Sequence, residues 1–388
     1  MPSSMQLRGV KVRRTPLLAT LAAAVAAASL AVAGLSGDPA APAASSVPAG
    51  STASSLSGAQ WEGTPVPVKK GDITAVAALD EKQAWALGYR LNSQTSLDAV
   101  ALRWDGTAWT QESKLPKDSF PQAMAVRSAS DIWAVGAASE HWNGKTWTTH
   151  QLARDPAGRV VPDAVATTSD GKAWTVGRAV PGSIKDGAPA IQAWDGEAWQ
   201  KQTLPDVGKG ELSSVVALAS DDVWAAGAAF AADEKGKQSA LLLHWDGSDW
   251  KRVAAPGGDT GHQWIGGITA LAPDDIWAVG GTTSGSADRP YAAHWDGKNW
   301  TVAKTPDIAD GRLRAVGRTG DGELWAVGGK GAVSVALRWN AKDGQWDRAP
   351  DPGVVVRAFA TVPKSADLWT VGIAQEGDLV PAITRLKN

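Results

Sequence analysis

Three of the five histidines in the chain could supply acid–base or metal chemistry, because imidazole titrates near neutral pH and binds zinc. Each stands directly before a tryptophan that is followed by Asp-Gly or Asn-Gly; they are His141, His244 and His294. The equivalent positions elsewhere carry Arg103, Ala193, Arg338 and Arg385. Because one position recurs in separate repeats, we expect the imidazoles to lie apart, and we predict no metal site.

Acidic residues recur at two positions that invite a calcium-binding or catalytic interpretation. One set lies two residues before a tryptophan and comprises Asp131, Asp222, Asp275, Glu323 and Asp367. The other set is the Asp of the repeated Trp-Asp-Gly sequence. Both sets adjoin predicted tight turns, where Asp caps backbone N–H groups, so we interpret both as turn residues.

The remaining chemistry is limited by what the sequence lacks. Absence of cysteine excludes disulfides, thiolate metal sites and a cysteine nucleophile. No Gly-x-Ser-x-Gly elbow, phosphate-binding loop or His-Glu-x-x-His helix occurs. We therefore predict no catalytic residue, no metal and no cofactor, and an enzyme is the less favoured class.

Tryptophan marks the internal repeats of the sequence, and it is by far the most common aromatic residue, with 21 Trp against 3 Phe and 2 Tyr. The sequence Trp-x-apolar-Gly occurs seven times, beginning at Trp85, Trp133, Trp174, Trp224, Trp277, Trp325 and Trp369. Five copies of Trp-Asp/Asn-Gly-x-x-Trp alternate with it, and a sixth copy carries an insertion before Gly344. Successive first tryptophans are 41 to 53 residues apart, which is the length of a four-stranded propeller blade.

Each repeat divides into four short strands, and Asp-Gly marks the hairpin between the third and the fourth. With two turn residues, Asp105 and Gly106, Leu102 would pair with Trp109. With a four-residue loop, Trp104 and Trp109 would lie directly opposite each other. Both alternatives place the two indoles on one face of the sheet. We predict that the repeated tryptophans pack neighbouring blades together rather than bind sugars.

The seventh repeat ends at a third strand, Ala382 to Leu386, and its fourth strand is found at the other end of the chain. Trp61 precedes Pro67 by the same six residues that separate Trp199 from Pro205. We therefore predict that residues 60–67 complete the last blade. The fold class is all-β, a seven-bladed β-propeller of four-stranded antiparallel blades, with the ring closed by an N-terminal strand.

The repeated Asp-Ile-Trp-Ala-Val-Gly and His-Trp-Asp-Gly-x-x-Trp sequences resemble those of secreted bacterial Trp-rich repeat seven-bladed β-propeller proteins, which have a WD40-like architecture. The resemblance covers residues 60–388. It implies the fold and a place outside the cytoplasm, but no particular activity, because propellers serve as lectins, scaffolds, lyases and hydrolases.

The N-terminus reads as an export signal followed by a tether. Residues 1–33 combine a basic start with an Ala-rich apolar run, as in a signal peptide. Small residues suitable for cleavage occur at the end of this run and again as late as residue 43. An uncleaved membrane anchor is the alternative, and Arg13-Arg14 leaves the Sec and twin-arginine routes both open. Residues 34–59 are rich in Ala, Pro and Ser and read as a flexible tether. We expect an extracytoplasmic protein without integral membrane association after cleavage.

Charge bears on the class of partner. The formal net charge is −2, from 38 basic and 40 acidic residues, without a basic run. A nucleic-acid partner is therefore not expected, and we predict a monomer.

Variable loops provide the candidate binding site, because loops on a rigid scaffold commonly carry binding. The variable segments are Val180–Pro189, Phe230–Ser239, Gly257–Gly267 and Thr282–Tyr291, all predicted on one rim. The candidate ligand-binding residues there are Trp264, His262, Tyr291, Arg289 and Phe230. Trp264 is the one tryptophan outside the repeat pattern, and the alternative is that it plugs the channel entrance.

Three functions are compatible with this pattern. The favoured hypothesis is a secreted, non-catalytic module that presents the variable rim to a glycan or a partner protein. The second is a propeller-type lyase or glycoside hydrolase acting at the channel mouth. The third is a structural scaffold.

Overall fold

A computed structural model describes residues 60–93, 96–112, 115–116, 119–182, 186–231, 237–257, 262–375 and 379–387. These residues contain 28 β-strands, β1 to β28. None of them forms a helix long and apolar enough to cross a bilayer. The predicted signal peptide and tether lie outside the described residues.

Blades 1 to 4 each use four consecutive strands. They are β2 (Gly71–Asp80), β3 (Gln83–Ser93), β4 (Ser96–Trp104) and β5 (Trp109–Gln111); β6 (Pro121–Ser128), β7 (Asp131–Gly136), β8 (Ser139–Trp142) and β9 (Trp147–His150); β10 (Arg159–Thr167), β11 (Ala173–Val180), β12 (Ala188–Trp194) and β13 (Trp199–Lys201); β14 (Gly210–Ala219), β15 (Asp222–Phe230), β16 (Gln238–Trp245) and β17 (Trp250–Val253).

Blades 5 and 6 follow the same plan, and blade 7 takes its last strand from the N-terminal side. The strands are β18 (Gln263–Ala272), β19 (Asp275–Ser284), β20 (Ala287–Trp295) and β21 (Trp300–Ala303); β22 (Leu313–Arg318), β23 (Leu324–Gly328), β24 (Val335–Asn340) and β25 (Gln345–Arg348); β26 (Val354–Thr361), β27 (Leu368–Ala374), β28 (Pro381–Lys387) and β1 (Gln60–Thr64).

The seven sheets form a closed ring. Every sheet is antiparallel, and in blades 1 to 6 its strands lie in sequence order. The first strand of each blade contacts the first strands of both neighbouring blades, so the first strands line a central channel. The predicted seven-bladed propeller is confirmed.

Strand β1 closes the ring. It pairs antiparallel with β28, with Gln60 opposite Lys387 and Trp61 opposite Leu386. The indole N–H of Trp61 donates to the Pro350 carbonyl at 2.9 Å. The last blade therefore joins the two ends of the propeller, as the displaced repeat predicted.

The third and fourth strands meet at a four-residue loop. Trp104 lies directly opposite Trp109, so the two-residue alternative was wrong. The Asp105 carboxylate accepts hydrogen bonds from the backbone N–H groups of Thr107 at 2.8 Å and Ala108 at 2.9 Å. Gly106 has φ +99°, which a side chain would oppose. The Trp-Asp-Gly aspartate is thus a turn residue, as predicted.

Tryptophans form the contacts between blades. Trp277 on β19 of blade 5 packs on Trp339 and Trp346 of blade 6, at ring-centroid distances of 4.6 and 5.5 Å. Across the closure, Trp369 of blade 7 packs in the same way on Trp104 and Trp109 of blade 1, at 5.1 and 5.2 Å. The repeated tryptophans therefore pack neighbouring blades together, as predicted.

A β-bulge interrupts every first strand near its N-terminal end, where one extra residue breaks the register with the second strand. The extra residues are Thr74, Gln122, Asp163, Ser213, Gly266, Arg314 and Arg357. Bulges redirect side chains out of the regular alternation. Six of the seven bulge residues are polar or charged, and the seventh is glycine.

Candidate functional site

The propeller has two rims. The first-to-second and third-to-fourth connections lie on one, here called the turn rim. The second-to-third and blade-to-blade connections lie on the other, here called the variable rim. Each first strand begins at the variable rim and ends at the turn rim.

Four of the five predicted binding residues come together in blade 5. His262 directly precedes β18, and Trp264 lies within that strand. Arg289 and Tyr291 belong to β20, whereas Phe230 ends β15 in blade 4. Their roles in ligand binding remain predictions.

Trp264 lies on strand β18 rather than in a loop. It pairs with Gly281 of β19, and its indole covers that glycine so closely that an added Cβ would lie 2.3 Å from Trp264 Cζ2. The side chain is half-buried. The absence of a side chain at Gly281 therefore lets the indole pack against the backbone there, and the rest of the half-buried ring faces solvent.

Tyr291 is buried, which differs from the exposed position expected of it. Its side chain is 5% exposed and packs in the core between blades 4 and 5. The hydroxyl donates to the Pro256 carbonyl at 2.9 Å, and burial raises the pKa of this phenol. Arg289 is half-buried and forms an ion pair with Asp307.

Two predicted variable segments are shorter than expected. Strands β19 and β20 continue to Ser284 and from Ala287, so only two residues of Thr282–Tyr291 lie outside strands. Gly285 has φ +65° in that tight turn. Strand β18 begins at Gln263, inside the segment Gly257–Gly267. The strand pairing extends further than the apolar pattern because main-chain hydrogen bonds do not require apolar side chains.

The acidic residues two positions before tryptophan form cross-strand pairs, so the turn-cap interpretation of this set was wrong. In blade 5 the Asp275 carboxylate lies 2.9 Å from His294 Nε2, and His294 stacks on Trp277 at 4.4 Å. The same arrangement occurs around His141 and His244. Where the base is arginine, the acid pairs with the guanidinium, as in Arg338–Glu323 and Arg385–Asp367.

Each of these three imidazoles is thus held by a carboxylate and a tryptophan of its own blade. Within the described residues, no three or more His, Asp or Glu side chains form a group that could hold a metal ion. Each acid–base pair therefore links the start of the second strand to the third strand of its own blade.

A group of charged side chains at the variable rim was not found from the sequence. This group, here called the rim charge cluster, lies on blades 5, 6, 7 and 1. Its members are Asp72, Asp288, Asp310, Arg312, Arg314, Lys330 and Arg357. Asp72 and Asp288 are 1% and 8% exposed, so the cluster reaches into the protein.

Most of the cluster is paired. Arg357 Nε donates to the Asp72 carboxylate at 2.8 Å. Lys330 Nζ lies 3.2 Å from a carboxylate oxygen of both Asp288 and Asp310. Arg312 approaches Asp288 at 3.9 Å.

Arg314 is the exception. It occupies the bulge of β22 and is half-buried. Among the described residues, its guanidinium forms no hydrogen bond and no ion pair within 4 Å. Desolvation lowers the pKa of Arg314 to about 10; the neighbouring charges of Arg312 and Arg357 act in the same direction, and the charge of Asp72 opposes them. The group therefore stays protonated near neutral pH.

Exposed apolar side chains adjoin the rim charge cluster. Val333 is 36% exposed in the connection after β23, and Leu379 and Val380 are 38% and 41% exposed before β28. The backbone fixes both connections beside the cluster: Gly329 N–H donates to the Arg312 carbonyl, and Gly71 N–H to the Leu379 carbonyl.

One signal in the sequence could have indicated the arginines. Six of the bulge residues lie eleven positions before the second-strand tryptophan, and in blade 7 the interval is twelve. Aligned in this way, Arg314 and Arg357 stand among Thr, Gln, Asp, Ser and Gly. Two adjacent blades thus carry large cations where the others carry smaller side chains.

Two cavities lie away from the cluster. One of about 410 Å³ opens beside the short connection of residues 137–138 and is lined by His150, Arg154 and Arg159 among others. The other, of about 430 Å³, occupies the turn-rim end of the channel and is lined by Arg318 and Phe359 among others.

Asp163 lies on β10, and burial raises the pKa of its carboxyl to about 6.

Comparisons with known proteins support the fold. No protein-family model matches the chain, and no curated protein matches it. Among solved structures, "YCF48 bound to D1 peptide" matches with a TM-score of 0.55 and 14% identity over 84% of this chain and 97% of that one. "Structure of U3-55K" matches at 0.57 and 10%, over 84% and 98%. The WD40 β-propeller domain of Doa1 matches at 0.57 and 10%, over 85% and 97%.

Proposed function

We propose that the protein is a binding module and that its variable rim takes a segment of a partner protein at blades 6 and 7. The observation that carries the proposal is the exposure of Val333, Leu379 and Val380, here together called the apolar patch, on two variable-rim connections whose backbone is hydrogen-bonded to strands of the rim charge cluster. Among the described residues, these are three of the four large hydrophobic side chains that are exposed. Exposed apolar groups gathered beside polar ones are characteristic of interaction sites.

The chemistry of the patch favours a polypeptide over a glycan. Sugar rings stack on flat aromatic faces, whereas Val333, Leu379 and Val380 are aliphatic. Apolar side chains next to cations match a peptide that carries both apolar and acidic residues. The solved propeller described as bound to D1 peptide supports the proposal, since it is a similar fold that holds a peptide.

We further propose that this binding takes place outside the cytoplasm. The support is the basic, then apolar, then small-residue pattern of residues 1–33.

The test is selection of binders from a displayed random-peptide library on the full chain, followed by affinity measurements with synthetic copies of the selected peptides. Val333→Asp and Val380→Asp should each weaken binding by tenfold or more, on the order of 1.4 kcal/mol, because a charge replaces an apolar contact. The matched control is Val302→Asp, since Val302 is 54% exposed on the outermost strand of blade 5.

The proposal fails if no peptide is selected, or if Val302→Asp weakens binding as much as the two rim variants do. A glycan array on the same protein gives the alternative. If no peptide is selected and a glycan binds the wild type but not Val380→Asp, the ligand of this rim is a sugar and not a peptide.

A further inference from the structure

The rim charge cluster carries one positive charge more than its own acids neutralise. Four side chains are cationic, namely Arg312, Arg314, Lys330 and Arg357, and three are anionic, namely Asp72, Asp288 and Asp310. Arg357 is matched by Asp72, and Arg312 and Lys330 by the other two acids. The excess charge therefore belongs to Arg314.

Arg314 holds that charge under unfavourable conditions. It is half-buried, and two of its charged neighbours, Arg312 and Arg357, are also cationic, whereas its anionic neighbour Asp72 already forms an ion pair with Arg357. A charge that is partly withdrawn from water and forms no hydrogen bond or ion pair of its own raises the free energy of the folded state. An anion that binds there would regain this free energy, so the site is prepared for a ligand of opposite sign.

We infer that Arg314 binds a carboxylate of the partner segment, from an acidic side chain or a C-terminus. This inference deepens the proposed function and depends on it for the source of the carboxylate. A guanidinium presents two parallel N–H donors that match the two oxygens of a carboxylate. One carboxylate also balances the cluster, whereas a phosphate dianion would leave a net negative charge in a half-buried site.

The position of Arg314 suits a carboxylate from the same segment that covers the apolar patch. Arg314 is two residues from Arg312, whose carbonyl anchors the connection that carries Val333. Arg357, in the next blade, pairs with Asp72, which directly follows the residue that anchors Leu379. A peptide lying across Val333 and Leu379 would therefore pass over the charge cluster.

Small anions test the site without any peptide. Propionate should raise the melting temperature of the full chain above that in sodium chloride at equal ionic strength, and phosphate should not exceed chloride. Arg314→Gln should abolish the propionate effect. Arg318→Gln is the matched control, because Arg318 lies on the same strand, is exposed and faces the turn rim. Equal propionate effects in the wild type and in Arg314→Gln would overturn the inference, as would a preference for phosphate.

A second readout separates binding from a structural role. Because Arg314 forms no hydrogen bond or ion pair and interacts with Asp72 only through its charge, Arg314→Gln should change the stability of the ligand-free protein toward urea very little. A marked loss of stability would mean that the guanidinium has an internal partner, and the inference would fail.

The selected peptides then identify the source of the anion. Replacement of the peptide carboxylate by an amide should weaken binding to the wild type about tenfold or more and should have little effect on Arg314→Gln. If peptides bind the rim but are insensitive to Arg314→Gln, the carboxylate inference fails and the proposed function stands. If propionate binds at Arg314 and no peptide is selected, the proposed function fails and the anion site alone remains.

Discussion

Replacement of a repeated tryptophan that packs two blades together should destabilise the whole propeller, whereas replacement of Trp264 should not. Trp277 lies between blades 5 and 6, where its indole touches Trp339, Trp346 and His294. It also donates from Nε1 to the Asp275 carboxylate at 3.0 Å. Trp277→Ala removes all of these contacts together.

The magnitude follows from burial. Trp277 is 5% exposed. A buried indole removes ~200 Å² from water, which corresponds to about 5 kcal/mol as an upper limit. Truncation of large aromatic core residues costs about 3 to 5 kcal/mol, and we expect this range for Trp277→Ala. Trp264 is half-buried and its indole packs on Gly281, so Trp264→Ala should cost about 1 to 2 kcal/mol.

Urea unfolding followed by far-UV circular dichroism measures both free energies of unfolding. Circular dichroism is preferable to fluorescence because the chain has 21 tryptophans and the substitution removes one of them. If Trp264→Ala and Trp277→Ala lower the free energy of unfolding equally, the repeated tryptophans do not hold the blades together in the way described.

Three further outcomes are expected. A chain that begins at Gly71 lacks β1 and should melt well below one that begins at Leu56; equal melting temperatures would contradict closure by β1. Because the raised pKa of Asp163, about 6, lies above the unfolded value, the folded state retains a proton that the unfolded chain releases. Stability to urea should therefore fall as pH rises from about 4 to about 6, and Asp163→Asn should make that fall smaller; because burial also raises the pKa values of Asp72 and Glu140, part of it should remain. Intact mass spectrometry of culture supernatant should find a protein that begins between Gly34 and Ser45, whereas full-length protein in the membrane fraction would support the anchor alternative.

The fold could be predicted because its packing depends on one residue type at repeated positions. Trp85 and its six equivalents mark the second strand of every blade, and the spacing from Trp61 to Pro67 identifies the displaced strand. Such contacts repeat with the sequence, so a single chain already shows them several times.

The acid–base pairs were missed because they join residues that are distant in sequence. Asp222 and His244 are separated by an entire loop and meet only when β15 and β16 pair. The sequence does show an acidic and a basic residue in the same repeat. The acidic residue stands beside a predicted turn, however, where it could equally cap the turn. The local sequence does not distinguish a turn cap from a cross-strand pair.

The surroundings of the predicted binding residues could be read from the sequence only in part. Variation among the repeats directed attention to blade 5, where Trp264 is half-covered by packing on Gly281 and Tyr291 is buried between blades 4 and 5. Arg314 was missed because a bulge, which depends on hydrogen-bond register, changes the direction of its side chain. Its lack of a partner is a property of the surrounding charges and is visible only in three dimensions.

Hydrogen–deuterium exchange of the full chain, with and without a selected peptide, tests the central claim most directly. If the segment lies across blades 6 and 7, exchange should slow in residues 312–314, 329–335 and 379–381 and stay unchanged in the outer strand 300–303. Protection confined to the blade 5 residues 262–264, or to the cavity at residues 150–160, would contradict binding at the rim charge cluster.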